Sequence, residues 1–348
     1  MKDVTVLITG SGAPGVPGII KSLRLVKERK IKIVGVDMRK DAVGSILADE
    51  FTTIPSSKSK KYLSSLLKVA KKFEVDVILP SNTDELLILT KNKFIFEENG
   101  IKISISSPES IGVANNKYLL MKELKNIIPL PKFYFVKSSL EFEKAVYNLG
   151  YPKEVICVKP PISHGMRGFR ILNSKINHLD VFLNQKPTGI FTTFEDFFSI
   201  FRKAKPFPEL LVMEFLPGIE YSVDALANEG EPLIIIPRTR DYIKMGISFE
   251  GALVKNKRII EYCEKIIKKL RLNGNIGFQF KEDKKRVPKL IECNPRLQGT
   301  VVINTFAGIN LVYLGIKLAL GEEIKIPKKI QWGIKMIRYW EEVYKYPK

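Results

Sequence analysis

Residues 3–105 alternate short apolar runs with helical stretches, and this alternation limits the possible folds more than any other feature of the chain. The runs fall at residues 3–9, Ile31–Asp37, Phe51–Ile54, Val75–Pro80 and Ile101–Ile105. Helical patterns separate them, one to about Arg29, one near Val43–Ala48, then Lys60–Phe73 and Asp84–Asn99. Strands joined through helices of this length run parallel, with helices on both faces of the sheet. Ligands of such sheets meet the C-terminal strand ends. The glycine-rich turn Gly10–Gly15, Asp37 and the Ser81–Glu85 turn should lie on that edge. Gly10, Gly12 and Gly15 with Asp37 fit the dinucleotide fingerprint GxGxxG plus a downstream acid. The same glycines would also serve a tight strand-to-helix turn that binds another anion at the helix N-terminus. Asp84 and Glu85 also read as first-turn acids that complement the helix dipole.

After Ser107 the pattern changes. Asn115–Lys117 opens a helix, and strands are expected at Phe133–Val136, Glu154–Lys159 and Phe169–Leu172. Between the last two lies Lys159–Gly168, a loop of glycines, His164 and cations. A lysine ending a strand before such a loop can clamp phosphate, because glycines let backbone N–H groups approach the anion. Strand Leu210–Phe215, the turn Leu216–Gly218 and alternating strands through Val254 then form an antiparallel meander. Helix Lys257–Leu270 leads into a hairpin, Asn275–Thr300. In it Ile276–Phe280 and Val287–Cys293 flank the charged turn Lys281–Arg286. Period two puts Phe278 and Phe280 on one face and Gln279 on the other. On the second strand it pairs Glu292 with Asn294, opposite Ile291 and Cys293. With the apolar faces inward, Gln279, Glu292 and Asn294 converge as oxygen donors, a set that suits a hard cation such as Mg²⁺ (or Mn²⁺). Arg296, two residues on, can reach an anion held by that cation. The same residues would also make a solvated polar hairpin face.

The bulk numbers narrow the class. The chain has 348 residues, 45% hydrophobic and 27% charged, with a formal net charge of +20. That is enough for two or three domains of an ordinary globular protein. No apolar run reaches membrane-spanning length, and the N-terminus enters a strand without a signal-peptide pattern. Three separated cysteines without a CxxC pair favour free thiols in a reducing, cytoplasmic setting. The lysines are spread over helix faces with no nucleic-acid-binding motif among them. The charge therefore favours solubility and attraction of small anions over specific nucleic-acid binding.

Four motifs in order resemble the ATP-grasp carboxylate–amine ligases, and within them the carbamoyl-phosphate-synthase-like members. They are the βαβ start with GSGAPG; Asn116-Lys117 opening a helix; Val158-Lys159-Pro160 with its loop, followed by Met213–Asp224; and Gly277–Gln279 followed by Ile291–Arg296. The match covers roughly residues 3–320. The resemblance implies three parts. A Rossmann-like pre-ATP-grasp α/β domain would span 1–107. The ATP-grasp fold follows as two α+β subdomains that clamp ATP, at 108–215 and 216–348.

The resemblance also implies roles. Lys117 and Lys159 would hold ATP phosphates, with Lys159 and Arg296 as catalytic cations. Glu214 and the backbone of Phe215 and Leu216 would meet adenine, and Glu220 the ribose. Ser163, His164 and Gly165 belong to the loop that would close over the γ-phosphate. Gln279, Glu292 and Asn294 would coordinate magnesium. Arg238 and Arg240, with Gly12 on the N-terminal edge, are candidates for the substrate. The implied reaction phosphorylates a carboxylate with ATP and passes the acyl phosphate to an amine. Small-molecule substrates and a homodimer are the partners such a family suggests, without a membrane. Glutamine at Gln279, where many members carry an acid, points to the carbamoyl-phosphate-synthase branch, although the chain is far shorter than that enzyme. An NAD(P)-dependent oxidoreductase, using Gly10–Gly15 and Asp37, is the rival, but it leaves the hinge and the hairpin without a role. A non-catalytic nucleotide-binding or nucleic-acid-binding module conflicts with the intact Asn116-Lys117, Lys159 and Glu292.

Overall fold

A computed structural model describes residues 1–163, 165–184, 189–202, 204–327 and 329–346. His164 and Lys203, the end of a helix expected over Phe194–Lys203, therefore lie outside the described residues. The chain divides into two compact units. One comprises Met1–Asn115, Glu220–Gln279 and Glu292–Lys348, the other Asn116–Ile219 and Phe280–Ile291.

In the first unit, Glu50–Thr53, Ile31–Asp37, Val4–Ile8, Val77–Leu79 and Lys102–Ile103 form a five-stranded sheet in that order. Every pairing is parallel, as the alternation requires. One face is covered by Tyr62, Leu66, Leu86, Leu89 and Phe96. The other carries helix Val16–Arg24, packed with helices Val302–Phe306 and Leu311–Ala319 around Val6, Ile8, Ile19, Leu23 and Val312. Strands Glu220–Asn228 and Glu231–Thr239 pair antiparallel through a turn in which Glu229 and Gly230 both take positive φ. Such hairpin turns match the strand twist. In sequence, Glu231–Thr239, Glu220–Asn228, Gly274–Glu282 and Pro288–Asn294 make one four-stranded sheet in that order. A three-stranded sheet of Tyr242–Lys244, Ile247–Ala252 and Lys335–Ile337 completes the unit.

The second unit is built on Phe133–Val136, Leu210–Glu214, Ile156–Lys159, Arg170–Leu172 and Phe191–Thr192, in that order. Leu210–Glu214 runs antiparallel to both its neighbours. Helices Ser139–Asn148 and Phe194–Arg202 cover it with an aromatic cluster, Phe142 stacking on Phe194 and Phe198.

Two helix ends differ from the periodicity. The first helix stops at Arg24 with Leu25 as its cap, and Arg29, beyond it, turns inward to pair with Glu322 and Tyr313. The stretch expected as one helix over Asp84–Asn99 is two, Thr83–Lys91 and Lys93–Glu97. Asn92, whose side chain bonds back to the Ile88 carbonyl at 2.8 Å, marks the break. The Val302–Leu320 pattern breaks at Gly308 as expected, with φ +95° there, and Asn310 caps the second helix. All three cysteines are free. Among the described residues no helix is long and apolar enough to cross a membrane.

Candidate functional site

Within the second unit, a strand end and a helix start carry the cationic candidates. Asn116 caps helix Lys117–Leu124 by accepting from the Tyr118 and Leu119 amides at 3.0 and 3.1 Å. Lys117, at the first helical position, is buried, and its ammonium donates to the Ser163 carbonyl at 2.7 Å. Its amide donates to Pro161 at 2.9 Å, so helix start and loop are tied at two points. Lys159 ends its strand, is also buried, and donates to the Ile291 carbonyl at 3.0 Å. The loop needs its glycines. Gly165 and Gly168 have φ +62° and +73°, and a side chain on Gly168 would begin 2.6 Å from Pro160.

Glu214 ends the strand Leu210–Glu214. Its carboxylate accepts from the Lys132 amide at 3.0 Å and from the Lys289 ammonium at 2.6 Å. The Phe215 amide donates to Val155 at 3.3 Å, Leu216 is buried, and the Lys281 ammonium lies over the Phe215 ring. Lys289 has no place among the expected site residues. It sits in the same hairpin strand as Glu292, and nothing in its spacing marks it as the partner of Glu214.

Within the first unit, the second hairpin strand shows the expected alternation. Cys293 is buried, whereas Glu292 and Asn294 are half-exposed. The Asn294 amide nitrogen donates to Glu292 Oε1 at 2.8 Å, which fixes the two groups side by side. Gln279 is likewise half-exposed between the fully buried Phe278 and Phe280, on the neighbouring strand. One carboxylate with two amide groups is a hard-oxygen donor set of low charge. Among the described residues no cluster of three His, Cys, Asp or Glu could hold a metal unaided. Arg296 follows, its Nε donating to Thr83 at 2.9 Å and its Nη1 to the Leu297 carbonyl at 2.9 Å. Burial lowers its pKa, and the charges of Glu292 and Glu85 oppose that shift. Thr83, on the C-terminal edge of the parallel sheet, is thus a neighbour of Arg296 that sequence reasoning had left within an unassigned turn.

The remaining candidates differ in their surroundings. Arg238 is enclosed, paired with Asp224 and bonded to Gln298 at 2.9 Å and to Thr300. Arg240 binds Glu220 at 2.6 Å and the Gly246 carbonyl at 2.7 Å. The Gly12 amide donates to Asp37 at 2.8 Å, and Asp37 also accepts from the Arg39 amide. Asp37 therefore fastens its own turn, and Gly15 and Gly18 give room for residues 299–302. That packing gives Gly15 a role without a dinucleotide, and the oxidoreductase alternative is not favoured. Asn82 and Glu85 form a capping box, with the Glu85 carboxyl buried against the Thr9 and Tyr62 hydroxyls.

Comparison with known proteins agrees with this layout. Residues 6–104 match the family model described as PylC-like, N-terminal domain, and residues 206–341 match ATP-grasp in the biosynthetic pathway with Ter operon. The carbamoyl phosphate synthase large chain of Thermoanaerobacter pseudethanolicus is 27% identical over 241 residues, 66% of this chain and 20% of that one. That of Pyrococcus furiosus is 27% identical over 243 residues, 66% and 21%. The chain thus aligns with about a fifth of the length of these relatives. Among solved structures, N5-carboxyaminoimidazole synthetase from Staphylococcus aureus complexed with ADP aligns with TM-score 0.69 at 17% identity, covering 97% of this chain and 82% of that one. A biotin carboxylase–ATP complex from Campylobacter jejuni aligns with TM-score 0.69 at 19% identity, covering 95% and 74%. The chain thus carries an ATP-grasp domain match and a PylC-like N-terminal domain match, and it is homologous to the carbamoyl phosphate synthase large chain.

Proposed function

We propose that the protein is an ATP- and magnesium-dependent ligase that phosphorylates a substrate carboxylate and joins it to an amine. The observation that carries this is the hairpin edge, where Glu292 and Asn294 are locked together beside the Gln279 strand and followed by the half-buried Arg296. The amide nitrogen of Asn294 is occupied by Glu292, so the pair offers oxygen to a cation. With a single carboxylate, the triphosphate must supply the remaining negative charge. Magnesium bound there would neutralise charge on the transferring phosphate.

The other roles follow from chemistry that asks the protein for position and charge more than for covalent participation. Lys117 and Lys159 bind the phosphates. Glu214, with the backbone of Phe215 and Leu216, frames adenine, and Glu220 holds the ribose. A carboxylate oxygen of the substrate attacks the γ-phosphorus in line, and ADP departs. Arg296 stabilises the transferring phosphoryl group. The Ser163–Gly168 loop excludes water, since an acyl phosphate hydrolyses. An amine then attacks the acyl carbon, releasing phosphate and leaving an amide-type bond. Functionally the chain divides at 1–107, 108–215 and 216–348, with the first part offering the substrate edge near Gly12 and Thr83. Relatives crystallised with ADP, or with MgADP and bicarbonate, support the nucleotide and the carboxylate-like co-substrate.

The test is ADP release from MgATP in the presence of carboxylates paired with amines. Stimulation requiring both partners is expected. With an ¹⁸O-labelled carboxylate, one label should appear in the phosphate. Turnover without label transfer would rule out the acyl phosphate. Thermal protection by NAD(H) but not by MgATP would return the chain to the oxidoreductase class.

A further inference from the structure

Strands Glu220–Asn228 and Glu231–Thr239 carry an unusual pattern on one face. Their register sets Ser222 opposite Arg238, and the Arg240 amide donates to the Glu220 carbonyl at 2.9 Å. Period two then aligns Glu220, Ser222 and Asp224 on one strand with Arg238 and Arg240 on the other. Two acid–arginine pairs result, and they differ in one respect. Arg238 and Asp224 are both shut away, with side chains 1% and 4% exposed. In the outer pair the Arg240 side chain is 5% exposed and that of Glu220 16%. The guanidinium is therefore the inner member and the carboxylate the outer one. The second Nη of Arg240 donates to the Gly246 carbonyl at 2.7 Å, in a turn where Met245 and Gly246 both have positive φ.

We infer that Arg240 is a positioning residue for the nucleotide ribose, which it never touches. It holds the Glu220 carboxylate from the interior side and couples it to the Gly246 turn. The inference rests on Glu220 as the ribose ligand. A glutamate carboxylate on a strand end has three rotatable side-chain bonds to restrain before it can accept from a ribose hydroxyl. A bidentate-capable, always charged arginine anchored on a backbone carbonyl removes that freedom, which a lysine's single ammonium does less well. Recognition of the 2′- and 3′-hydroxyls should then depend on Arg240 as much as on Glu220.

The experiment is calorimetric titration of the full chain with MgATP and with its 2′-deoxy and 3′-deoxy analogues. A charge-assisted hydrogen bond predicts that the wild type prefers ATP by about tenfold or more over at least one analogue. Arg240→Met and Glu220→Gln should each bring that ratio close to one, the double variant should lower it no further, and Arg240→Lys should restore part of it. Loss of the ratio with an unchanged near-ultraviolet circular dichroism spectrum separates positioning from a general structural defect. If Arg240→Met does not fold, Arg240→Lys carries the test, and a wild-type ratio there overturns the inference. A wild-type ratio in Arg240→Met with a reduced one in Glu220→Gln overturns the inference and leaves the ATP reading standing. Absence of MgATP binding by the wild type overturns both.

Discussion

A side chain on Gly15 would begin 2.5 Å from the α-carbon of Gly299, so the glycine turn of the parallel sheet and the loop that follows Arg296 touch backbone to backbone. Gly15 has φ −85°, a value open to any residue, so its glycine is required for space and not for conformation. The turn that mimics a dinucleotide fingerprint is thus part of the seat of the loop behind the arginine.

Gly15→Ala tests that seat. The added methyl has no flexible neighbour to displace, and overpacking of this kind costs about 1–3 kcal/mol. A denaturant melt should show that loss, and ATP turnover should fall with it because the 296–299 loop shifts. An alanine variant with the stability and turnover of the wild type would show that the close approach is not maintained.

Arg238 and Asp224 form the inner pair of the meander, further bonded to Gln298, Thr300 and Asn304. Burial pushes the Asp224 carboxyl up and the Arg238 guanidinium down, and each charge opposes the shift of the other. Arg238→Met strands a buried carboxylate, which costs about 3–5 kcal/mol. Adding Asp224→Asn to that variant should recover part of the loss, since the uncompensated charge is gone. Denaturant melts of the two single variants and the double give the coupling. Additive single effects would mean that the pair does not act as a unit.

Glu85 provides a pH signature. Its carboxyl is buried, and burial raises its pKa above the usual 4.5 despite hydrogen bonds from Thr9, Tyr62 and the backbone of Asn82. A raised folded-state value favours the protonated folded form. The stabilising contribution is therefore complete below pH 4.5 and is lost as pH rises through the higher folded value. Glu85→Gln cannot ionise, so its stability relative to wild type should improve as pH rises above 4.5. Parallel stability curves for the two proteins across that range would contradict the assignment.

The fold was legible where one physical cause dominates. Residues 3–105 alternate strand and helix with a period that only a covered parallel sheet satisfies, and the sheet is parallel throughout. The alternation of Phe278, Gln279 and Phe280, and of Glu292, Cys293 and Asn294, was equally plain, because burial of one face leaves no other register. Helix ends were not, since period alone does not reveal the side-chain bond of Asn92 or, beyond the first helix, the distant ion pair of Arg29. The partners of the candidate site were hidden for the same reason. Nothing local links Thr83 to Arg296 or Lys289 to Glu214, pairs separated by 213 and 75 residues. The Asp224–Arg238 and Glu220–Arg240 pairs lay closer to the surface of the text, as an acid every few residues on one strand and arginines two apart on the next.

The central claim is that Glu292, with Gln279 and Asn294, makes ATP binding depend on magnesium. Its most direct measurement is a calorimetric titration of wild type and Glu292→Ala with ATP, with and without magnesium. The wild type should bind MgATP and lose about a hundredfold in affinity when the metal is removed, the scale of a lost charge-assisted contact. Glu292→Ala, still folded, should bind MgATP no better than metal-free ATP and should not turn it over. Equal MgATP affinity and turnover in the two proteins would contradict the claim.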